Sequence, residues 1–359
     1  MLRDGEKTAR RKLEHIDIVL SKPVEGPLTT WFEYVFLPQL SLPSVDPDRV
    51  STRVNYLGKV IEAPIMITGM TGGAPGTEKI NKSLAEAACR HRIGLGLGSQ
   101  RAVLEDRSLA YTYRVVREVC SDIPVVGNLG ITELIEYGPG VLESLASIVE
   151  TDAIAIHLNY FQEIAQPEGV GNISKGLEAL SRAVEVSPVP VIVKEVGFGM
   201  SREFAEELYS LGIRYIDIAG AGGTNWALVE LHRARASGNL VKQYIADGVS
   251  EVGIPTAVSI IEVRSVSDDI FIIGSGGIRS PYDAVKALRL GADIVGMARP
   301  ALVAYSRNQL SEFLESFIFS IKALLAALGA VNVAEVRKCP LVIVGLLREW
   351  VLSRGIRIT

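Results

Sequence analysis

Apolar runs of strand length recur eight times between residues 63 and 298, and this alternation limits the folds open to the chain. The runs cover residues 63–70, 94–99, 124–130, 153–159, 189–196, 215–220, 270–275 and 293–298. Amphipathic segments of helical length lie between them, including residues 78–91, 109–120, 141–149, 176–186, 202–211 and 282–290. Such alternation indicates βα units and a parallel sheet. Eight units predict a (β/α)8 TIM barrel, a fold that needs about 250 residues.

An open, doubly wound α/β sheet is the alternative arrangement of these runs. It ranks second because every run ends in glycines or polar residues at the same end. The long gap between the sixth and seventh runs predicts an insertion at residues 226–253, followed by a helix at 256–266. We expect residues 1–50 to form an N-terminal extension, with an ordered but irregular cap over 21–50. Residues 51–359 form the barrel domain with its C-terminal helices.

Composition excludes several classes of function. Hydrophobic residues make up 48% of the chain and the net charge is −4, so no basic excess indicates a nucleic-acid partner. Cys89, Cys120 and Cys339 include no CxxC pair, which indicates neither a disulfide framework nor a zinc site. The charged N-terminus contains no apolar signal region. These features predict a cytoplasmic protein in a reducing environment.

The most apolar stretch, residues 313–330, contains Glu315 and Lys322 in a helix-like pattern. It therefore predicts a packed helix and no membrane span. This segment and residues 341–352 are expected either to close the bottom of the barrel or to form a subunit interface.

The fourth run changes abruptly from aliphatic to polar residues at its carboxyl end. His157, Asn159, Gln162 and Glu163 lie within seven positions there. In a barrel, functional groups collect at the carboxyl ends of the strands. A functional role for His157 is therefore favoured over a core histidine bonded to backbone. Glu163 is either an ordinary surface carboxylate or a ligand of Mg²⁺, which binds few carboxylates and retains water.

The seventh run ends in Ser275, Gly276 and Gly277, and a helix is predicted to begin near Pro281. Backbone N–H groups and a helix N-terminus favour an anion at such a place. With the glycine-containing turn after the eighth run, this arrangement predicts the phosphate site common in barrel enzymes. The alternative is that these glycines only form tight turns.

Lys194 ends the fifth run among valines and isoleucines, where an unpaired ammonium would be unfavourable. Its partner could be a carboxylate (Glu195 or Asp217), a Schiff base or an electron-rich cofactor. Small polar residues at other run ends leave room for a flat ring and offer it hydrogen bonds; they are Thr68, Ser99, Asn128 and Thr224. Together these residues suggest a phosphorylated flat cofactor, and FMN fits better than a dinucleotide.

At these positions the chain resembles the type 2, flavin-dependent isopentenyl diphosphate isomerase family. The matching segments occur in family order and cover nearly the whole chain; they are residues 11–15 (RKLEH), 67–73 (ITGMTGG), 98–101 (GSQR), 127–130 (GNLG), 157–159 (HLN), 162–163 (QE), 166–169 (QPEG), 193–195 (VKE), 222–226 (GGTNW) and 275–280 (SGGIRS).

The resemblance implies a barrel that binds FMN and interconverts isopentenyl and dimethylallyl diphosphate. The FMN contacts that it implies are Thr68, Gly69, Met70, Thr71, Ser99, Asn128, Lys194, Thr224, Gly276, Gly277, Ile278, Arg279, Ala298 and Arg299. The substrate contacts that it implies are Arg11, Lys12, Ser99, Gln100, Arg101 and Gln162. It places Mg²⁺ on Glu163, and Gln162, His157 and Asn159 at the reacting end. It also implies reduced FMN as the acid and base, NAD(P)H as the reductant, and a homo-oligomer (tetramer or octamer).

Two interpretations of the N-terminus compete. On composition alone, the charged cluster at residues 10–15 would be a solvated tail. The resemblance makes it a diphosphate clamp that folds over its own or a neighbouring subunit's site.

The same barrel could support three other functions. The runner-up is an FMN-dependent 2-hydroxy-acid oxidase, which would use a histidine base near the sixth and seventh run ends, where this chain has none. An inosinate-type dehydrogenase would need a cysteine in the sixth run's loop, and none is present there. A phosphate-binding barrel without catalytic activity is the non-enzyme alternative.

Overall fold

A computed structural model describes residues 4–169 and 172–358. Twelve strands lie in these residues: β1 (Val35–Phe36), β2 (Val54–Tyr56), β3 (Lys59–Ile61), β4 (Ile65–Ile67), β5 (Gly94–Gly96), β6 (Val125–Gly130), β7 (Ala153–His157), β8 (Val191–Lys194), β9 (Tyr215–Asp217), β10 (Phe271–Ser275), β11 (Ile294–Met297) and β12 (Val342–Ile343). All eight predicted runs contain a strand.

Strands β4 to β11 close into one parallel barrel, in the order β10-β11-β4-β5-β6-β7-β8-β9. The barrel prediction is confirmed, and the open-sheet alternative is wrong because β11 pairs with β4. The strands are buried almost throughout, as expected for a parallel sheet covered on both faces.

The register brings the carboxyl ends of neighbouring strands to one level. Gly130 pairs with His157, His157 with Lys194, and Lys194 with Asp217. Residues that lie far apart in the chain therefore meet at one mouth of the barrel.

Helices surround the barrel and extend from both ends of the chain. They are α1 (Asp4–Ser21), α2 (Thr77–His91), α3 (Arg101–Glu105), α4 (Tyr111–Val119), α5 (Ile131–Tyr137), α6 (Val141–Val149), α7 (Tyr160–Ala165), α8 (Gly176–Val186), α9 (Arg202–Ser210), α10 (Trp226–Ala236), α11 (Leu240–Val249), α12 (Thr256–Arg264), α13 (Pro281–Leu290), α14 (Arg299–Ser306), α15 (Leu310–Ala327), α16 (Val333–Val336) and α17 (Gly345–Ser353). The predicted insertion is the packed pair α10 and α11.

Helix α13 shows how local sequence fixes a helix start at the mouth. Ser280 Oγ accepts a hydrogen bond from the Asp283 N–H at 3.1 Å, and Asp283 Oδ2 accepts one from the Ser280 N–H at 3.0 Å. Pro281 follows as the first helical residue, where its missing N–H removes no helical bond. The helix predicted to begin near Pro281 is confirmed.

The antiparallel β2–β3 pair closes the other end of the barrel. Tyr56 and Ile61 are fully buried in one cluster with Met66, Val126 and other inward-facing strand residues. The Tyr56 ring stacks on Phe271, with ring centroids 5.2 Å apart.

Of the two alternatives for the C-terminal segments, closure of the barrel bottom is therefore wrong, and a subunit interface stays a prediction. Helix α15 packs against α13 and α2 in the outer layer, and its buried face includes Leu314 and Phe317. Helix α17 packs against α12. In the part of the chain that the structure describes, no helix is both long and apolar enough to span a bilayer.

Cys89 and Cys120 form a disulfide bond, which sequence analysis did not anticipate. Cys89 lies near the end of α2, and Cys120 directly follows α4. The two helices pack together, so residues 31 positions apart meet. Sequence spacing alone carried no sign of that packing, and the conclusion drawn from cysteine spacing was wrong.

Candidate active site

A cavity of about 1100 Å³ lies at the carboxyl ends of the barrel strands, beneath helix α1. Most of the residues singled out from the sequence line it; these are Arg11, Lys12, Thr68, Gly69, Met70, Ser99, Arg101, Asn128, His157, Asn159, Gln162, Glu163, Lys194, Thr224, Gly276, Gly277, Ile278, Arg279, Ala298 and Arg299. The strand-end argument thus brought together residues from all eight βα units and from the N-terminal extension.

Gln100 and Thr71 lie behind the cavity wall. The Gln100 side chain is fully buried, accepts a hydrogen bond from the Asn128 N–H at 3.0 Å, and donates one to the Leu145 carbonyl at 3.2 Å. Thr71 is also buried. Direct contacts from these two side chains stay predictions, and the geometry gives Gln100 a supporting position behind Asn128.

Helix α1 lies over the mouth, and Lys12 fixes it there. Lys12 Nζ donates to the Ser99 carbonyl at 2.5 Å, to the Tyr113 hydroxyl at 2.8 Å, and to the Gly72 carbonyl. Burial, reinforced by the neighbouring charge of Arg11, lowers the pKa of Lys12 to about 7. The solvated-tail interpretation is therefore wrong for this cluster.

His157 is held in a defined orientation by an amide at the next strand end. Asn128 Nδ2 donates to the Leu97 carbonyl at 3.0 Å, which leaves Asn128 Oδ1 as the acceptor for His157 Nδ1 at 2.8 Å. Nδ1 therefore carries the proton, and Nε2 is the ring's acceptor. Burial, with the charge of Lys194 next in importance, lowers the pKa of His157 to about 3. The imidazole is neutral at physiological pH.

Lys194 has the carboxylate partner that its position required. Its Nζ lies 3.1 Å from Asp217 Oδ2, and the Ser275 hydroxyl donates to the other Asp217 oxygen. Glu195 turns away and accepts the N–H groups of Val196 and Phe198, and burial raises its pKa to about 8. Of the two predicted carboxylates, Asp217 is therefore the partner.

Helix α7 brings two oxygen donors together. Asn159, the residue before the helix, donates from Nδ2 to Glu163 Oε1 at 2.8 Å, and both side chains are buried. Asn159 Oδ1 is buried and has no hydrogen-bond partner within the described residues. A buried carboxylate beside an unpaired amide oxygen suits a hard cation such as Mg²⁺. No cluster of three or more His, Cys, Asp or Glu that could hold a metal occurs within residues 4–169 and 172–358.

Glu230 of α10 was missed by sequence analysis, although it links three parts of the site. It is fully buried and accepts hydrogen bonds from His15 at 2.9 Å, Arg233 at 2.8 Å and Gln162 at 3.3 Å. Burial opposes its ionisation, yet the bonds from His15 and Arg233 lower the pKa of Glu230 to about 2. A single acidic residue among the apolar residues at the start of α10 was the only available signal.

Glu25 was missed as well. One carboxylate oxygen lies 3.0 Å from Arg279 Nη2, and the other lies 3.0 Å from Arg299 Nη1. These arginines follow β10 and β11, whose ends carry the predicted phosphate site. Glu25 lies in a proline-rich segment without periodicity, so nothing in its local sequence pointed to the cavity.

Comparison with known proteins agrees with this geometry. The model of the FMN-dependent dehydrogenase family matches residues 160–342. An isopentenyl-diphosphate delta-isomerase of Ignicoccus hospitalis is 41% identical over 353 residues, covering 98% of both chains. The chain belongs to the type 2, FMN-dependent isopentenyl-diphosphate isomerase family. A second family member, from Sulfurisphaera tokodaii, is 42% identical and covers 97% of this chain and 95% of its own.

Solved structures of more distantly related proteins show the same fold. A mandelate oxidase variant with a monooxide FMN adduct superposes with a TM-score of 0.62 at 16% identity, covering 95% of this chain and all of its own. At that identity the likeness concerns the barrel alone.

Proposed function

We propose that this protein interconverts isopentenyl diphosphate and dimethylallyl diphosphate. The main support is the similarity, over nearly the full length, to proteins named as that isomerase. In addition, basic side chains of α1 and polar residues at the strand ends line the same cavity. Shifting the double bond requires a proton to be added at one carbon and removed at another, without net oxidation. The site must therefore hold the diphosphate firmly and keep water from the reacting carbons.

The cavity fits FMN across the strand ends. Arg279, Arg299 and the Gly276–Gly277 turn lie at one side and suit its phosphate, while Asn128 and Lys194 lie at strand ends that suit the ring. When bound and reduced, FMN supplies the proton donor and acceptor. The protein would orient it, and Lys194, held by Asp217, would supply a positive charge at the strand ends.

Arg11, Lys12 and Arg101 line the cavity and would attract the diphosphate. Lys12 would act through its charge, because its Nζ already donates to three protein acceptors. Arg101 is fixed by Glu105 and Glu133, each at 2.8 Å, so its guanidinium is oriented before substrate arrives. Mg²⁺ would be held by Glu163, with the unpaired Asn159 Oδ1 as a second oxygen and substrate phosphates completing the coordination.

The reacting end would be lined by His157, Asn159 and Gln162. Because His157 is neutral, it hydrogen-bonds without adding a charge beside an apolar tail. Gln162 Nε2 donates to Glu230, which fixes the amide and directs its oxygen away from that carboxylate.

The direct test is anaerobic turnover. Purified protein is supplied with reduced FMN, Mg²⁺ and isopentenyl diphosphate, and dimethylallyl diphosphate is followed by NMR. Omission of FMN or chelation of Mg²⁺ should abolish the product signal. A protein that fails to take up FMN, judged by its absorption spectrum, would refute the proposal.

Gln162→Asn tests the reacting end. We expect lower turnover with FMN still bound, because the shortened side chain cannot reach both Glu230 and the substrate. Gln243→Asn on α11 is the matched control and should retain full turnover. Unchanged turnover in Gln162→Asn would remove Gln162 from the reaction.

Three further properties complete the proposal. NAD(P)H would reduce the flavin, the protein would assemble as a homo-oligomer, and it would work in the cytoplasm. The runner-up, a 2-hydroxy-acid oxidase, gains no support from the histidines outside the cavity, since His91 bonds Ser311 and His232 bonds the Pro23 carbonyl.

A further inference from the structure

Glu25 occupies the position between two arginines that an anionic ligand would be expected to take. Its two oxygens bridge Arg279 and Arg299 at 3.0 Å each, and all three side chains line the cavity. The inference that follows rests on the proposed placement of the FMN phosphate at the ends of β10 and β11. A phosphate dianion and a carboxylate favour the same guanidinium donors.

The arginines do not depend on Glu25 for their position. Arg299 Nε donates to the Val19 carbonyl at 3.0 Å, and Arg279 Nη2 donates to the Gly222 carbonyl at 2.7 Å. Backbone acceptors thus anchor each guanidinium independently. Removal of the Glu25 charge should therefore leave two oriented cations in place.

The backbone that carries Glu25 is also fixed. The Val24 carbonyl accepts a hydrogen bond from the Asn225 N–H at 2.7 Å, and the Thr30 carbonyl accepts one from the Ala257 N–H at 3.0 Å. The backbone of Glu25 itself forms an antiparallel β-bridge with Thr224. The Glu25 side chain, in contrast, is 47% exposed. It can rotate toward solvent without moving the segment.

We propose that Glu25 sets the phosphate affinity of the flavin site by competing with the FMN phosphate for Arg279 and Arg299. When the FMN phosphate binds, it replaces both contacts of Glu25 with the arginines. The free energy gained from the phosphate–arginine contacts is therefore reduced by the free energy of the two Glu25 ion pairs that are lost. Riboflavin has no phosphate and leaves the bridge intact. Glu25 therefore lowers the preference of the site for FMN over riboflavin.

The test compares flavin affinities of wild type and Glu25→Gln. Dissociation constants for FMN and riboflavin are measured by quenching of flavin fluorescence. Glu25→Gln removes two half-exposed ion pairs that FMN would otherwise have to break. Their loss should increase FMN affinity by roughly 2- to 30-fold. Riboflavin affinity should be unchanged. The gain should shrink as salt is raised, because exposed charges are screened.

Controls separate this role from simpler ones. Asp17→Asn removes an exposed carboxylate from the same extension and should change neither constant. Glu25→Ala should reproduce the gain if the charge is what matters. Weaker or equal FMN binding in both Glu25 variants, or an equal gain for riboflavin, would overturn the role of Glu25. Absence of FMN binding in wild type would instead overturn the proposed function and the inference with it.

Discussion

The affinity of the site for diphosphate should depend on pH through Lys12. Burial lowers its pKa from 10.5 to about 7, so above pH 7 the side chain is mostly an uncharged amine. A bound diphosphate favours the ammonium form, and binding must then take up a proton. Because the complex binds more protons than the free protein, affinity falls as pH rises above 7. One such group weakens binding about tenfold per pH unit, or about 100-fold at pH 9.

Inorganic pyrophosphate with Mg²⁺ is the probe, measured by isothermal titration calorimetry between about pH 6 and pH 9. Two buffers of different ionisation enthalpy should report uptake approaching about one proton above pH 7. The Lys12→Arg side chain stays charged throughout this pH range. Pyrophosphate titrates in the same way with both proteins, so its titration cancels in the ratio of the wild-type Kd to the Lys12→Arg Kd. Lys22→Arg, an exposed lysine just beyond α1, is the matched control. The same pH slope in wild type and Lys12→Arg would refute the assignment to Lys12.

Two further predictions concern the scaffold and a third concerns the cavity. Cys89→Ser removes the disulfide and should lower the free energy of unfolding by about 4 kcal/mol for a closed loop of 31 residues; guanidinium denaturation measures this, and reductant should not affect the variant. Gly222→Ala should lower the free energy of unfolding by more than the about 1–3 kcal/mol that a positive φ costs alanine, because the new Cβ would also lie 2.3 Å from the Thr30 nitrogen. Gly238→Ala is the control, because Gly238 has a positive φ but open space around it, so this variant measures the backbone strain alone. The His157 imidazole, with its pKa of about 3, should give NMR signals that do not titrate from about pH 5 to about pH 8; a midpoint near its ordinary value would contradict burial of the ring beside Lys194.

Sequence reasoning succeeded where the signal was local. Each barrel strand is a short apolar run, and each run end carries its glycine or polar residue within a few positions. Barrel closure then places those ends around one mouth, so naming the ends amounts to naming most of the site. The pairing of His157 with Lys194, and of Lys194 with Asp217, follows from register alone.

The residues that were missed act through contacts between distant segments. Glu25 reaches Arg299 across 274 positions, and Glu230 reaches His15 across 215. Hydrophobic periodicity of 2 or 3.6 residues identifies strands and helices, but it gives no information about contacts between distant segments. Neither Glu25 nor Glu230 could therefore be found from it. The Cys89–Cys120 bond depends likewise on how two helices pack. Contacts of this kind need the fold before they can be predicted.

A single electrostatic rule connects the predicted and the missed residues. Three cations of the cavity have a carboxylate of the protein as their partner: Lys194 has Asp217, Arg101 has Glu133, and Arg279 has Glu25. The first two carboxylates are buried, and the third is half exposed. Because burial makes removal of a partner unfavourable, Asp217 and Glu133 are expected to orient their cations permanently. Of these three carboxylates, the half-exposed Glu25 can release its arginines to a ligand at the smallest cost in free energy. The protein can therefore adjust ligand affinity at the phosphate end without disturbing the reacting end.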